Sequence, residues 1–190
     1  MADVSDKGVP AALFMMSAKS LIRTYAKTEM SPAQVMQAVN DRLCENNRHH
    51  MFVTVWFGVL DLSTGRITAV NAGHEYPALM PAGESFDLFR GRSGFIVGGK
   101  AGMRYRELEI DLTPGAKIFL YTDGVPEAHN AAGEMFGEKR MVSALNEGCE
   151  KSPEELLQHM KKAVDGFVQD AAQFDDLTML CLEYRGTSLE

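Results

Sequence analysis

Apolar residues recur at helical spacing in four stretches of the chain. The first predicted helix covers Pro10–Thr28, where a proline suits the first helical turn and apolar residues return every three or four positions. Three more helices are predicted from Ser31-Pro32 to about Glu45, over Lys139–Glu147, and from the capping box Ser152–Glu155 to about Val168. Two helices therefore lie near each end of the sequence.

Between the helix pairs, short runs of β-branched and aromatic residues predict strands. The predicted strands are Phe52–Leu60, Arg66–Asn71, Ala78–Met80, Phe86–Phe89, Tyr105–Leu112, Lys117–Tyr121 and Leu177–Tyr184. The first two flank the turn Ser63-Thr64-Gly65 and form a predicted hairpin. The glycine-rich stretch Gly91–Gly102 is predicted to be a loop. This order of elements predicts an α+β fold with an antiparallel core.

Composition and charge narrow the class of protein. The chain has 190 residues, of which 45% are hydrophobic and 24% charged, so disorder, collagen and coiled coil are excluded. A net charge of -7 with no basic stripe argues against nucleic acid as a partner. No apolar run approaches the ~18 residues of a membrane span. Three widely separated cysteines without a CxxC pair favour a reducing compartment, and we expect a cytoplasmic location.

Three short acidic motifs lie at predicted turns beside apolar strands. They are Asp3–Gly8, Tyr121–Gly124 and Asp175–Thr178. Carboxylates brought together at strand ends repel one another unless a cation neutralises them, and oxygen ligands suit Mg²⁺, Mn²⁺ or Ca²⁺. Each motif alone is weak evidence, since Asp-Gly after a strand is usually only a turn. As a set they favour metal-assisted hydrolysis of a phosphate ester.

The same motifs carry a family resemblance. Taken in order, the sequence resembles the metal-dependent serine/threonine phosphatases of type 2C (the PPM class), in their bacterial SpoIIE/RsbU-like branch. The matching stretches are residues 3–15, 52–54, 71–74, 120–128, 136–137 and 175–178. The resemblance implies an α-β-β-α sandwich, in which two antiparallel sheets are flanked by helix pairs.

The resemblance also implies a site. Asp3 would bridge two divalent cations, Mn²⁺ or Mg²⁺, with help from the carbonyl group of Val4. Asp123 and Asp175 would bind the first ion, and Asp176 would replace Asp175 if the register is shifted by one. A metal-activated water would then attack the phosphorus of a phosphoserine or phosphothreonine, so Asp3, Asp123 and Asp175 are the expected catalytic residues.

Four further residues lie beside these acids in the matching stretches. Gly8 and Gly124 would each permit a tight turn after a metal-binding aspartate. Lys7 could contact a substrate phosphate or could simply be solvated. His74 could act as an acid or a weak ligand, but we favour a supporting or purely structural role.

The beginning of the chain departs from the family pattern. Members usually have strands before the Asp-Val-Ser motif, whereas Met1-Ala2 run directly into it. We therefore expect a single phosphatase domain over 1–188 that lacks its first strands, with 189–190 as a cloning remnant. An exposed sheet edge would then favour a homodimer. The activity and metal binding of such a fragment stay open.

The function implied by the resemblance is dephosphorylation of a regulatory protein. The expected substrate is a phosphorylated anti-anti-sigma factor, a STAS domain, in a bacterial partner-switching pathway. The expected full-length protein carries an upstream sensor domain. The alternative is a catalytically impaired phosphatase-like domain that binds a partner protein without turnover. A calcium-binding module is disfavoured because no regularly spaced loop of ligands occurs.

Overall fold

A computed structural model describes residues 1–45, 47–171 and 175–187. This part of the chain contains four helices and eight strands. They are β1 (Ala2–Val4), α1 (Val9–Tyr25), α2 (Pro32–Glu45), β2 (Val53–Leu60), β3 (Arg66–Ala72), β4 (Ala78–Met80), β5 (Asp87–Leu88), β6 (Leu108–Asp111), β7 (Lys117–Tyr121), α3 (Gly137–Glu147), α4 (Pro153–Val168) and β8 (Met179–Glu183). They fall into two compact units.

The first unit is an antiparallel sheet with two helices, α1 and α2. It comprises Met1–Asp61, Arg66–His74 and Gly91–Asp111. Its strands follow the order β1-β2-β3-β6, so β1 and β6 are the outer strands among the described residues. Alternate residues of the sheet meet the apolar faces of both helices. The buried cluster includes Ala18, Val35, Met36, Val39, Val53, Val55 and Val70.

The second unit repeats this design with α3 and α4. It comprises Leu62–Gly65, Glu75–Arg90 and the chain from Leu112 onwards. Its antiparallel sheet has the order β5-β4-β7-β8. Strand β7 is buried along its whole length, which explains its continuous apolar sequence. Its one charged residue, Lys117, donates hydrogen bonds to the carbonyl groups of Cys149 and Lys151 at 2.6 and 2.7 Å.

The α+β class and the two antiparallel sheets predicted from the sequence are confirmed. The β2–β3 hairpin and the predicted bounds of β7 are also confirmed. The capping box at Ser152 is present, with the Glu155 carboxylate accepting from the Ser152 backbone at 3.0 Å. No helix in the described part of the chain has the length and hydropathy needed to cross a bilayer.

Strand β6 is shorter than the predicted strand Tyr105–Leu112. Its first half leaves the sheet because Glu107 accepts a hydrogen bond from the backbone of Ala33, at 2.9 Å, and so caps the start of α2. Tyr105 is meanwhile buried in the apolar cluster of the first unit. The local alternation of apolar and polar residues predicted a longer strand. A contact between residues 74 positions apart in the sequence outweighs that pattern.

The glycine-rich stretch 91–102 is the predicted loop, and buried Asn40 of α2 holds it in place. The Asn40 side chain accepts from the Gly98 backbone and donates to the Lys100 carbonyl, both at 2.9 Å. Gly98 has a φ of +86°, and a Cβ there would meet the ring of Phe14. Glycine is therefore required at this position both by conformation and by space.

The expectation of one domain over 1–188 stays a prediction. Residues 189–190, expected to be a cloning remnant, lie outside the described residues, as does Ser188.

Candidate metal centre

The end of β7 and the beginning of β8 bring two of the acidic motifs together in the second unit. The strands are antiparallel, and Tyr121 lies opposite Met179. Asp123 follows β7 by two residues, and Asp175 precedes β8 by four. The pairing of the two strands therefore brings these motifs to the same end of the sheet, and the predicted convergence of their carboxylates stays a prediction.

The buried residue Thr122 fastens the two motifs to each other. Its hydroxyl group donates to the Asp176 carbonyl at 3.1 Å and accepts from the Thr178 backbone at 3.1 Å. Its own backbone N–H donates to the Thr178 carbonyl at 3.1 Å. Three hydrogen bonds thus fix the segment beside Asp123, as a rigid site for ligands requires.

Gly124 lies in the predicted turn after Asp123, which the Val125 backbone N–H closes by donating to the Thr122 carbonyl at 3.1 Å. Its φ is not among the positive values found at other glycines of the described chain, so the turn itself does not require glycine. Instead, a Cβ on Gly124 would lie 3.0 Å from the carbonyl carbon of Asp176 and closer still to its oxygen. The glycine is needed because another backbone passes directly over it.

The electrostatics of this strand end suit a cation. Asp123 is half-buried, and among the described residues its carboxylate has no ion pair or hydrogen bond. Burial, followed by the neighbouring carboxylates of Asp123, Glu138 and Glu127, raises the pKa of Glu75. Carboxylates that repel in this way are the oxygen donors that Mg²⁺ and Mn²⁺ prefer. The residues present therefore fit a divalent cation.

Asp175 and Asp176 are not equivalent. Asp175 is half-buried and its carboxylate accepts from the Asp176 backbone at 2.8 Å, whereas the Asp176 side chain is exposed. The backbone of Asp176 carries the contact to Thr122. This geometry favours Asp175 over Asp176 as the side chain available to an ion near Asp123.

The first acidic motif lies in the first unit. Asp3 and Val4 are half-buried residues of β1 itself, so Asp3 is inside a strand and not at a turn as predicted. Gly8 has a φ of +87° and is the N-cap of α1, which matches the predicted turn. Lys7 is exposed in that turn, and its predicted contact with phosphate stays a prediction.

His74 is buried at the end of β3, in the first unit. Its Nδ1 lies 2.9 Å from the Thr54 hydroxyl, and its backbone exchanges two hydrogen bonds with the Asn71 side chain, at 2.8 and 2.9 Å. Two of these contacts hold the backbone and one holds the ring, and the supporting or structural role favoured for His74 stays a prediction.

Within the described residues, no group of three or more His, Cys, Asp and Glu side chains is arranged to hold a metal. The predicted joint use of Asp3 with Asp123 and Asp175 therefore stays a prediction. Two residues of the second unit were missed from the sequence. Thr122 lies within the second acidic motif, and Glu75 directly follows His74. Their positions in the sequence were the signal that could have found them.

Comparison with known proteins identifies the family. The sequence matches the family model of stage II sporulation protein E (SpoIIE) over residues 1–185. The chain belongs to this family, the SpoIIE/RsbU-like branch of the PPM phosphatases, and the resemblance inferred from its motifs is confirmed.

Two curated relatives cover most of the chain. Protein IcfG of Synechocystis sp. is 28% identical over 95% of this chain and 32% of its own length. Phosphoserine phosphatase RsbU of Bacillus subtilis is 26% identical over 96% of this chain and 54% of its own. The chain thus spans about a third of one relative and about half of the other.

Solved structures share the fold. The SiaA-PP2C domain of Pseudomonas aeruginosa superposes with a TM-score of 0.80 at 22% identity, over 96% of this chain and 74% of its own. The catalytic domain of the serine/threonine phosphatase PstP, solved with two manganese ions, has a TM-score of 0.62 at 12% identity, over 95% of this chain and 84% of its own. RsbX, solved with magnesium, has a TM-score of 0.66 at 16% identity, over 95% and 77%.

Proposed function

We propose that this chain is a metal-dependent protein serine/threonine phosphatase domain. The observation that carries the proposal is the pairing of β7 with β8, which brings the half-buried acids Asp123 and Asp175 to one strand end in a member of the SpoIIE family. The oxygen donors there are of the kind that hard divalent cations bind, and the pKa of nearby Glu75 is raised by burial and then by neighbouring carboxylates.

The proposed cofactor is a pair of Mn²⁺ or Mg²⁺ ions. Asp123 and Asp175 would hold one ion, and Asp3 and the Val4 carbonyl are the other proposed ligands. PstP and RsbX, which share the fold, were solved with manganese and magnesium, and this supports the choice of metals. When bound, such ions lower the pKa of a coordinated water and stabilise charge on phosphate oxygens.

The chain's own residues supply rigidity and charge. Thr122 fixes the Asp175–Thr178 segment against β7, so the backbone segments that carry the two carboxylates are held next to each other. Gly124 leaves room for that segment. Burial, and then the neighbouring carboxylates, raise the pKa of Glu75, and a cation that offsets the nearby negative charge would lower it. Lys7 is the proposed contact for a substrate phosphate.

The proposed substrate is a phosphorylated regulatory protein of the anti-anti-sigma (STAS) type in a bacterial partner-switching pathway. The name of RsbU, a phosphoserine phosphatase, supports phosphoserine as the target. The chain's net charge of -7 disfavours nucleic acid as a partner. We further propose that an upstream sensor domain controls this domain and that the protein works in the cytoplasm. We also propose a homodimer formed along β1. Light scattering of the purified chain tests the dimer.

The experiment is Mn²⁺-dependent hydrolysis of a phenyl phosphate ester and of a phosphoserine protein. Asp123→Asn and Asp175→Asn remove ligand charge with little change in volume, and each should abolish turnover. Asp176→Asn should retain it, since that side chain points to solvent. Asp87→Asn, an exposed residue of β5, is the matched control. Unchanged turnover in Asp123→Asn would contradict the proposal.

A second candidate function is a binding module without turnover. It is favoured by the absence, within the described residues, of three acids already grouped to hold a metal. This candidate predicts that the chain binds a phosphorylated STAS domain with the same affinity with and without Mn²⁺, and releases no phosphate from it.

A further inference from the structure

Two sequence stretches that the proposed metal centre leaves unused meet beside Asp3. They are residues 52–54 and 71–74, which supply Thr54 and His74. Thr54 lies opposite Asp3 in the β1–β2 pairing, so both side chains project from the same face of the sheet. The Thr54 hydroxyl oxygen is 3.4 Å from the Asp3 carbonyl oxygen and 2.9 Å from Nδ1 of His74.

The Thr54 hydroxyl has one proton for two acceptors, the Asp3 carbonyl and Nδ1 of His74, and it can also accept. If Nδ1 carries a proton, Nδ1 donates the shorter bond and the Thr54 proton goes to the Asp3 carbonyl. In the other tautomer Thr54 donates to Nδ1, and the Asp3 carbonyl receives no hydroxyl proton. The order that we assign is His74 Nδ1–H to Thr54 Oγ1–H to the Asp3 carbonyl oxygen.

The histidine at the head of this relay is immobilised by its own loop. Asn71 accepts from the His74 backbone N–H at 2.8 Å and donates to its carbonyl at 2.9 Å. The backbone carbonyl of Asn71 accepts a hydrogen bond from the backbone N–H of Gly94 at 2.7 Å. The imidazole is buried and therefore keeps its orientation towards Thr54.

We propose that Thr54 and His74 are positioning residues that hold the Asp3 peptide in the orientation needed for metal binding; this inference rests on the proposed function. Strand β1 has three residues and, among the described residues, pairs only with β2. So short an outer strand frays easily. Pairing with β2 alone would leave Asp3 and Val4 mobile. The hydrogen bonds that run from His74 through Thr54 to the Asp3 carbonyl hold them in place.

Two matched pairs of variants isolate the hydrogen bonds from packing. Thr54→Val keeps the shape of the side chain and removes the hydroxyl, whereas Thr54→Ser keeps the hydroxyl. His74→Asn places an amide nitrogen near the former Nδ1, and His74→Gln places one near Nε2 instead. The relay therefore predicts defects in Thr54→Val and His74→Gln and rescue in Thr54→Ser and His74→Asn.

Two measurements on the 190-residue chain read out the relay. Calorimetric titration with Mn²⁺ should show affinity about tenfold weaker in Thr54→Val and His74→Gln, and within about twofold of wild type in the rescue variants. Without metal, NMR hydrogen exchange at the Asp3 and Ser5 amides should quicken in the same two variants. The Ser5 amide donates to the Phe52 carbonyl at 2.9 Å and reports the pairing of β1.

The results separate this inference from the proposed function. If the wild type binds no Mn²⁺, the metal proposal fails, and the exchange rates still decide the relay. If Thr54→Val loses its circular dichroism spectrum, the two His74 variants decide it. Wild-type affinity and exchange in Thr54→Val, or equal defects in His74→Asn and His74→Gln, would overturn the relay.

Discussion

Replacing Gly124 by alanine tests whether the close approach of two backbones builds the candidate metal centre. The new Cβ would lie 3.0 Å from the Asp176 carbonyl carbon, and nearer to its oxygen. Both partners are backbone, so no flexible side chain can swing aside. The segment leading into β8 must move away from β7 by roughly 1 Å, and the three hydrogen bonds of Thr122 resist that movement.

The size of the effect follows from this geometry. Forcing an extra methyl group into a packed site costs about 1–3 kcal/mol. For a chain of this length, each kcal/mol lowers the melting temperature by about 2–4 °C. Because a misplacement of about 1 Å at a reacting centre can cost roughly 100-fold in rate, turnover should suffer more than stability does.

Thermal unfolding and Mn²⁺-dependent phosphate release are the two assays for Gly124→Ala. Gly166→Ala is the matched control, because Gly166 lies inside α4, has an ordinary helical backbone and has open space where its Cβ would be. We expect that control to gain about 0.5–1 kcal/mol and to keep full activity. Gly124→Ala with wild-type stability and wild-type turnover would refute the reasoning.

Three other consequences can be measured directly. Mg²⁺ binding at Asp123 should lower the raised pKa of Glu75, seen as a shift of its carboxyl NMR titration to lower pH; an unchanged titration places the ion elsewhere. Without metal, the pKa of Glu75 is higher in the folded chain than in the unfolded chain, where it is about 4.3. Glu75 therefore stabilises the fold fully below a pH of about 4.3, and this stabilisation is lost as the pH rises through the pKa of the folded chain. Lys117→Met should cost about 2 kcal/mol in urea unfolding, because two carbonyl groups lose their donor, whereas exposed Lys162→Met should cost nothing measurable.

Local signals in the sequence predicted the elements well. The capping box at Ser152 and the continuous apolar run of β7 are each short-range patterns, and both predictions hold in the structure. The shortened strand β6 could not be predicted, because it depends on Glu107 capping a helix that begins 75 residues earlier. Only the tertiary fold brings those two groups together.

The acidic motifs of the candidate site could be placed from the sequence, whereas the contacts that support them could not. The motifs of Asp123 and Asp175 flank the paired strands β7 and β8, and the use of both carboxylates as ligands stays a prediction. Gly124 lies in the turn predicted for it, but the close approach of the Asp176 backbone was not predicted, because a sequence does not show which backbone will pass over a glycine. Thr54 and His74 are 20 residues apart, and nothing in the sequence of either motif predicts that they are in contact.

The most direct test of the central claim is to locate the metal. Crystals of the chain grown with Mn²⁺ should give an anomalous difference peak roughly 2–2.5 Å from carboxylate oxygens of Asp123 and Asp175. The peak at Asp123 should vanish in Asp123→Asn crystals grown in the same way. Fully occupied manganese elsewhere, with none at the end of β7, would contradict the account.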